Sequence, residues 1–84
     1  MAEIVSEVAG PGVLERARGR AALSMYDLWL RYFAIGGGST PGDVESFLTH
    51  DVDPGSRQYN LLVDALNERF TEMGLDRPVL YAAA

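Results

Sequence analysis

Met25-Tyr26-Asp27-Leu28-Trp29-Leu30-Arg31-Tyr32-Phe33-Ala34-Ile35 is the stretch that decides how this chain folds. On a helix of about 100° per residue, its large apolar side chains cover roughly 220° of arc. A surface helix of a small globular protein carries an apolar stripe only a little over ~100° wide. Asp27, Arg31 and Ala34 interrupt the arc and fall together on one narrow strip. Met25, Leu28, Trp29 and Tyr32 take one side; Tyr26, Leu30 and Phe33 take another. Such a helix needs cover on several sides, from its own chain, from a second copy or from another protein.

Upstream, Leu14, Ala17, Ala21, Met25, Leu28, Tyr32 and Ile35 recur at steps of three or four residues. The spacing predicts one helix from about 13 to 35, continuous or slightly kinked. Ser24 with Asp27 three residues on is a competing start of capping-box character. Gly19 weakens the upstream half by about 1 kcal/mol relative to alanine. Before it, residues 1–12 end in Gly10-Pro11-Gly12 and read as a mobile or loosely docked acidic lead-in; Pro11 suits a helix's first turn.

Downstream, Gly36-Gly37-Gly38 supplies a C-cap and a pliable joint. Thr40 as cap, Pro41 at the first position and Asp43 at the positive end of the helix dipole predict a short helix over 41–50. Val44, Phe47 and Leu48 share its inner face. Asp53 as cap and Pro54 as first residue predict a third helix over 54–73. There Tyr59, Leu62, Val63, Leu66, Phe70 and Met73 fall within about 100°. Asn60, Asp64, Asn67, Glu68 and Thr71 take the opposite face, with Leu61 at the rim. Gly74 stops this helix and Leu75 folds back as in a Schellman motif. Asp76-Arg77-Pro78 blocks further helix, and Val79-Leu80-Tyr81 is an extended tail suited to a groove between helices.

The expected fold is all-α: a three-helix bundle with the aromatic helix at its centre, or four helices if the first splits near Ser24. Residues 13–81 make a single helical domain, and 82–84 a short tail. At 84 residues with 48% hydrophobic content the chain is one small globular domain. A core of this size supplies no more than roughly 3–5 kcal/mol. The absence of cysteine removes disulfides and thiolate chemistry. No segment reaches the ~20 apolar residues that span a bilayer, and Met1-Ala2-Glu3-Ile4-Val5-Ser6-Glu7 lacks a signal peptide's basic start. The expectation is a cytoplasmic protein without a membrane partner.

All seven basic residues are arginine, and the net charge is −5, which disfavours phosphate binding and so argues against nucleic acid. The densest basic run is Arg16-Ala17-Arg18-Gly19-Arg20. A helix-turn-helix reading of residues 40–73 would make the chain a DNA-associated regulator. The outward face of its last helix would then offer Gln58, Asn60, Asp64, Asn67, Glu68 and Glu72, which is too acidic for a groove.

Chemistry-bearing motifs are weaker than their plain alternatives. Ile35-Gly36-Gly37-Gly38-Ser39-Thr40 lacks the lysine and the preceding strand of a phosphate loop, so a helix-ending linker is preferred. Asp51-Val52-Asp53-Pro54-Gly55 has its glycine one place early for a calcium loop and Leu62 where a bidentate glutamate belongs. His50, the only histidine, suits the dipole at a helix end better than a metal site or a triad with Ser39 and Asp53. No enzyme, cofactor or metal is therefore expected. The over-wide apolar arc instead implies a non-enzymatic interaction or regulatory module, self-associating as a homodimer or adapting to a larger protein. Tyr26, Trp29, Leu30 and Phe33 would form the contact, with Arg31 at its rim.

Overall fold

The computed structural model describes residues 11–50 and 52–75. They form α1 (Pro11–Arg20), α2 (Met25–Ala34), α3 (Pro41–Thr49) and α4 (Gly55–Glu72), with no strand among the described residues. The all-α expectation holds, in its four-helix form. The expected tail at 79–81 and residues 1–10 of the lead-in lie outside the described residues.

The favoured continuous helix over 13–35 is replaced by two helices that meet at a corner. Ala22 takes a left-handed φ of 57°. Its amide donates to Gly19 O at 3.1 Å and that of Leu23 donates to Arg18 O at 3.3 Å, the two bonds of a Schellman motif. Ser24 then caps α2 with its Oγ accepting from the Asp27 amide at 3.0 Å. The bend folds α1 back, so that Leu14, Ala17 and Ala21 are fully buried and α1 packs on both α3 and α4. A straight rod would leave much of that apolar face in water. Two arginines tie the corner: Arg18 Nη1 donates to Leu23 O at 2.8 Å, and Arg69 Nε on α4 donates to Ala21 O at 3.0 Å.

α3 has the expected cap. Thr40 Oγ1 accepts from the Asp43 amide at 3.1 Å, and the Asp43 carboxylate accepts from the Thr40 amide at 3.3 Å, a reciprocal capping box. The helix ends at Thr49 with His50 as its C-cap. α4 starts one residue later than its sequence suggests. Asp53 Oδ1 accepts from the Gly55 amide at 2.9 Å, a turn two residues long, so Pro54 precedes the helix. At the far end the Schellman expectation is met: the Gly74 amide donates to Thr71 O at 3.0 Å and the Leu75 amide to Phe70 O at 2.9 Å.

The centre of the bundle is α4, not the aromatic helix. Tyr59, Leu62, Val63, Ala65, Leu66, Asn67 and Phe70 are all buried, an arc of roughly 200° at 100° per residue. Asn67, expected on the outer face, is 1% exposed, and Met73, expected inside, is 42% exposed. The reason is the corner at Ala22, because α1 and α2 both pack on α4 and cover it from two sides. Among the described residues no buried side-chain nitrogen or oxygen lacks a hydrogen-bond partner, so the Asn67 amide is satisfied where it lies.

Candidate functional site: the outer strip of α2

Helical phase divides the aromatic helix. Leu28 and Tyr32 are fully buried, and Met25 and Trp29 are partly buried against the core. Tyr26 and Phe33 are each 57% exposed and Leu30 43%. These three positions are four and three residues apart, so they share one strip on the outside of the bundle. Trp29 joins the strip to the core. Its ring stacks on Tyr26 at 5.7 Å between centroids and on Phe33 at 5.1 Å, with interplanar angles of 28° and 22°. Of the four residues expected together from the sequence, Tyr26, Trp29 and Phe33 form one ring stack, and Leu30 lies between Tyr26 and Phe33 along the exposed side of the helix.

The inner aromatics anchor the loop that follows. Trp29 Nε1 donates to Ser39 O at 2.8 Å. The Tyr32 hydroxyl accepts from the Ser39 amide at 2.9 Å and donates to Gln58 Oε1 on α4. Gly36 ends α2 at φ 108°, its amide donating to Phe33 O at 3.1 Å while that of Gly37 donates to Tyr32 O at 3.0 Å. Gly37 lies against the Tyr32 ring, where any Cβ would overlap Cζ and both Cε atoms. The tryptophan and the buried tyrosine are thus held by hydrogen bonds to the loop and to α4, and Trp29 carries the stack with Tyr26 and Phe33.

Arg31 turns away from the strip toward α4. Its two terminal nitrogens meet the two Glu72 carboxylate oxygens at 2.9 Å each, and Nη1 also reaches Glu68 at 3.1 Å. Arg69 adds a longer contact to Glu72 at 3.5 Å. Hydrogen bonding to Arg31 is the main reason the Glu72 carboxyl is held below its ordinary range; desolvation opposes it, and charge attraction from Arg31 and the contacts of Arg69 add to the lowering. The same contacts raise the Arg31 pKa. Arg31, expected at the rim of a partner site, is therefore committed within the chain.

Two shallow depressions lie beside α4, and residues of α2 line only the first. One, between the α1–α2 corner and the end of α4, is lined by Leu23, Asp27, Leu30, Ala34 and Arg69 among others. The other, along α4, is lined by Ile35, Leu61, Asp64, Glu68 and Glu72 among others. Together their described walls hold four carboxylates, Asp27, Asp64, Glu68 and Glu72, and two guanidinium groups, Arg31 and Arg69.

The remaining candidates are not assembled. At the start of α3 the Asp43 carboxylate occupies the amide that an anion would seek. His50 is exposed and contacts Thr49 Oγ1 at 3.0 Å, Asp53 binds its own turn, and the Ser39 backbone is held by Trp29 and Tyr32. No group of three or more His, Asp or Glu suited to a metal exists among the described residues. The outward face drawn for a DNA-reading helix is also broken, since Asn67 is buried and Gln58 is bonded to Tyr32. No helix among the described residues is long and apolar enough to cross a membrane. No protein-family model, curated protein or solved structure matches this chain.

Proposed function

We propose that this chain is a non-enzymatic protein–protein interaction module, regulatory in character, that docks through the outer strip of α2. The observation that supports the reading is the Tyr26–Trp29–Phe33 stack, whose two end rings are more than half exposed beside Leu30. Aromatic side chains bury about 150–250 Å² when covered, so the strip offers roughly 300 Å² of apolar surface. At about 25 cal/mol/Å² its removal from water is worth roughly 7 kcal/mol gross, before the entropic cost of association. Three large apolar side chains on one exposed line offer a continuous surface for a partner to cover.

Self-association is the simplest form of this reading, with a second copy as partner. The contact residues are Tyr26, Trp29, Leu30 and Phe33, while Arg31 fixes the edge by holding α2 to α4. Leu30→Asp and Phe33→Asp are expected to abolish association while circular dichroism still reports the wild-type helix content, because both side chains point to solvent. A chain that sediments as a monomer at high concentration and co-purifies with no partner would remove the basis of the reading.

A further inference from the structure

We infer that the α1–α2 corner is a hinge, and that straightening it lets two copies of this chain exchange α1. The exchange goes beyond the docking role proposed above and makes no use of the outer strip of α2. One residue of the corner is strained: Ala22 holds a left-handed φ of 57°, a conformation unfavourable to any L-residue with a Cβ. Regular helix reaches the corner from both sides, since the Ala21 amide donates to Ala17 O at 2.9 Å and the Leu28 amide to Ser24 O at 3.0 Å. No glycine or proline stands between Arg20 and Ile35, so nothing in the backbone forbids a helix running straight through.

A straight helix also keeps the buried faces in register. Leu14, Ala17, Ala21, Leu28 and Tyr32 are fully buried, and on one continuous helix they fall within about 60° of arc. The bend therefore sets where α1 lies, not which of its residues face a core. α1 packs on α3 and α4, and the corner is its covalent link to them through α2. Once straight, α1 is carried away from its own α3 and α4. The groove it leaves fits the α1 of a second copy residue for residue, so two opened chains complete each other. Short, strained hinges favour such exchange.

Because the packing is the same in both forms, the balance between them lies in the corner. Straightening relieves Ala22 and gives the amides from Ala22 to Asp27 carbonyl partners four residues back. It gives up the Ser24 cap and the bonds of Arg18 to Leu23 O and of Arg69 to Ala21 O. It also gives up the burial of Leu23, which turns to the far side of a straight helix. Exchange needs two chains, so it grows with concentration.

Light scattering on the whole chain, refolded from urea at micromolar and at millimolar concentration, tests the hinge. The wild type is expected to form a dimer at the higher concentration. Two corners are released in each dimer, so Ala22→Gly, which removes the strain, is expected to weaken it about tenfold. Ala22→Val puts a β-branched side chain at an exposed left-handed position and is expected to strengthen it about tenfold. Circular dichroism is expected to show no loss of helix in Ala22→Val. Phe33→Asp, at the far end of α2, is expected to leave the exchange as it was. A wild type that stays monomeric at the higher concentration, or equal association of the two Ala22 variants, overturns the inference. So does an Ala22→Val chain that loses helix without associating. A dimer that Phe33→Asp abolishes and the Ala22 variants leave unmoved overturns it too, while supporting docking through the strip.

Discussion

Gly37→Ala and Gly38→Ala make the same chemical change at adjacent positions of one loop, and the structure assigns them opposite effects. A Cβ on Gly37 would overlap three ring carbons of Tyr32, whereas one on Gly38 meets nothing within 4 Å. Neither glycine has a positive φ, so alanine strains the backbone at neither. Tyr32 has no free direction for retreat, being fully buried and bonded through its hydroxyl to Ser39 and Gln58. Overpacking costs about 1–3 kcal/mol, and displacing the ring adds about 0.5–1.5 kcal/mol for each hydrogen bond lost. Alanine returns about 0.4–1 kcal/mol by restricting the unfolded chain. The net expectation for Gly37→Ala is a loss of about 2–4 kcal/mol, a fall in Tm of roughly 10–30 °C for a domain of this size. Gly38→Ala keeps only the unfolded-state gain and should raise Tm by a few degrees. Urea and thermal unfolding followed by circular dichroism measure both. Equal shifts in the two variants would refute the account of Gly37 as the floor beneath Tyr32.

Two further expectations follow from the α1–α2 corner and the α2–α4 clasp. Ala22→Gly should stabilise the chain by about 0.5–1 kcal/mol, since the left-handed conformation costs an L-residue about 1–2 kcal/mol and glycine's extra freedom when unfolded returns part of that gain; a lower urea midpoint would contradict the corner geometry. Glu72 titrates below its ordinary value in the folded chain, so its contribution is present above the unfolded carboxylate range and lost as pH falls through the folded value. The stability difference between wild type and Glu72→Gln should therefore shrink as pH is lowered from about 5 and also as salt is raised, and a difference that persists unchanged at low pH would exclude the Arg31 clasp.

Several features were legible because the chemistry behind them is local. Thr40-Pro41-Gly42-Asp43 places cap, first-turn proline and returning carboxylate within four residues, and the capping box forms there as expected. Gly74 and Leu75 likewise close the end of α4. The division of the aromatic helix also follows from phase alone: Leu28 and Tyr32 go inward while Tyr26, Leu30 and Phe33 go outward. Arg31 was harder to read, because the carboxylates that claim it lie 37 and 41 residues away. Phase puts it beside the strip, but only the packing of α4 on α2 brings the carboxylates that hold its guanidinium.

The amino-acid order by itself determined where helices can start and stop and which face of α2 is apolar on the outside. These depend on contacts within about one turn, which each segment carries with it. Tertiary structure alone decided that the chain breaks at Ala22, that α4 and not α2 is the core, and that Asn67 is inside. No residue at Ala22 favours a left-handed turn. The conformation is held because bending lets Leu14, Ala17 and Ala21 bury against distant helices and because Arg69, 48 residues on, bonds the freed Ala21 carbonyl. A local preference of about 1 kcal/mol yields there to an apolar face that must leave water.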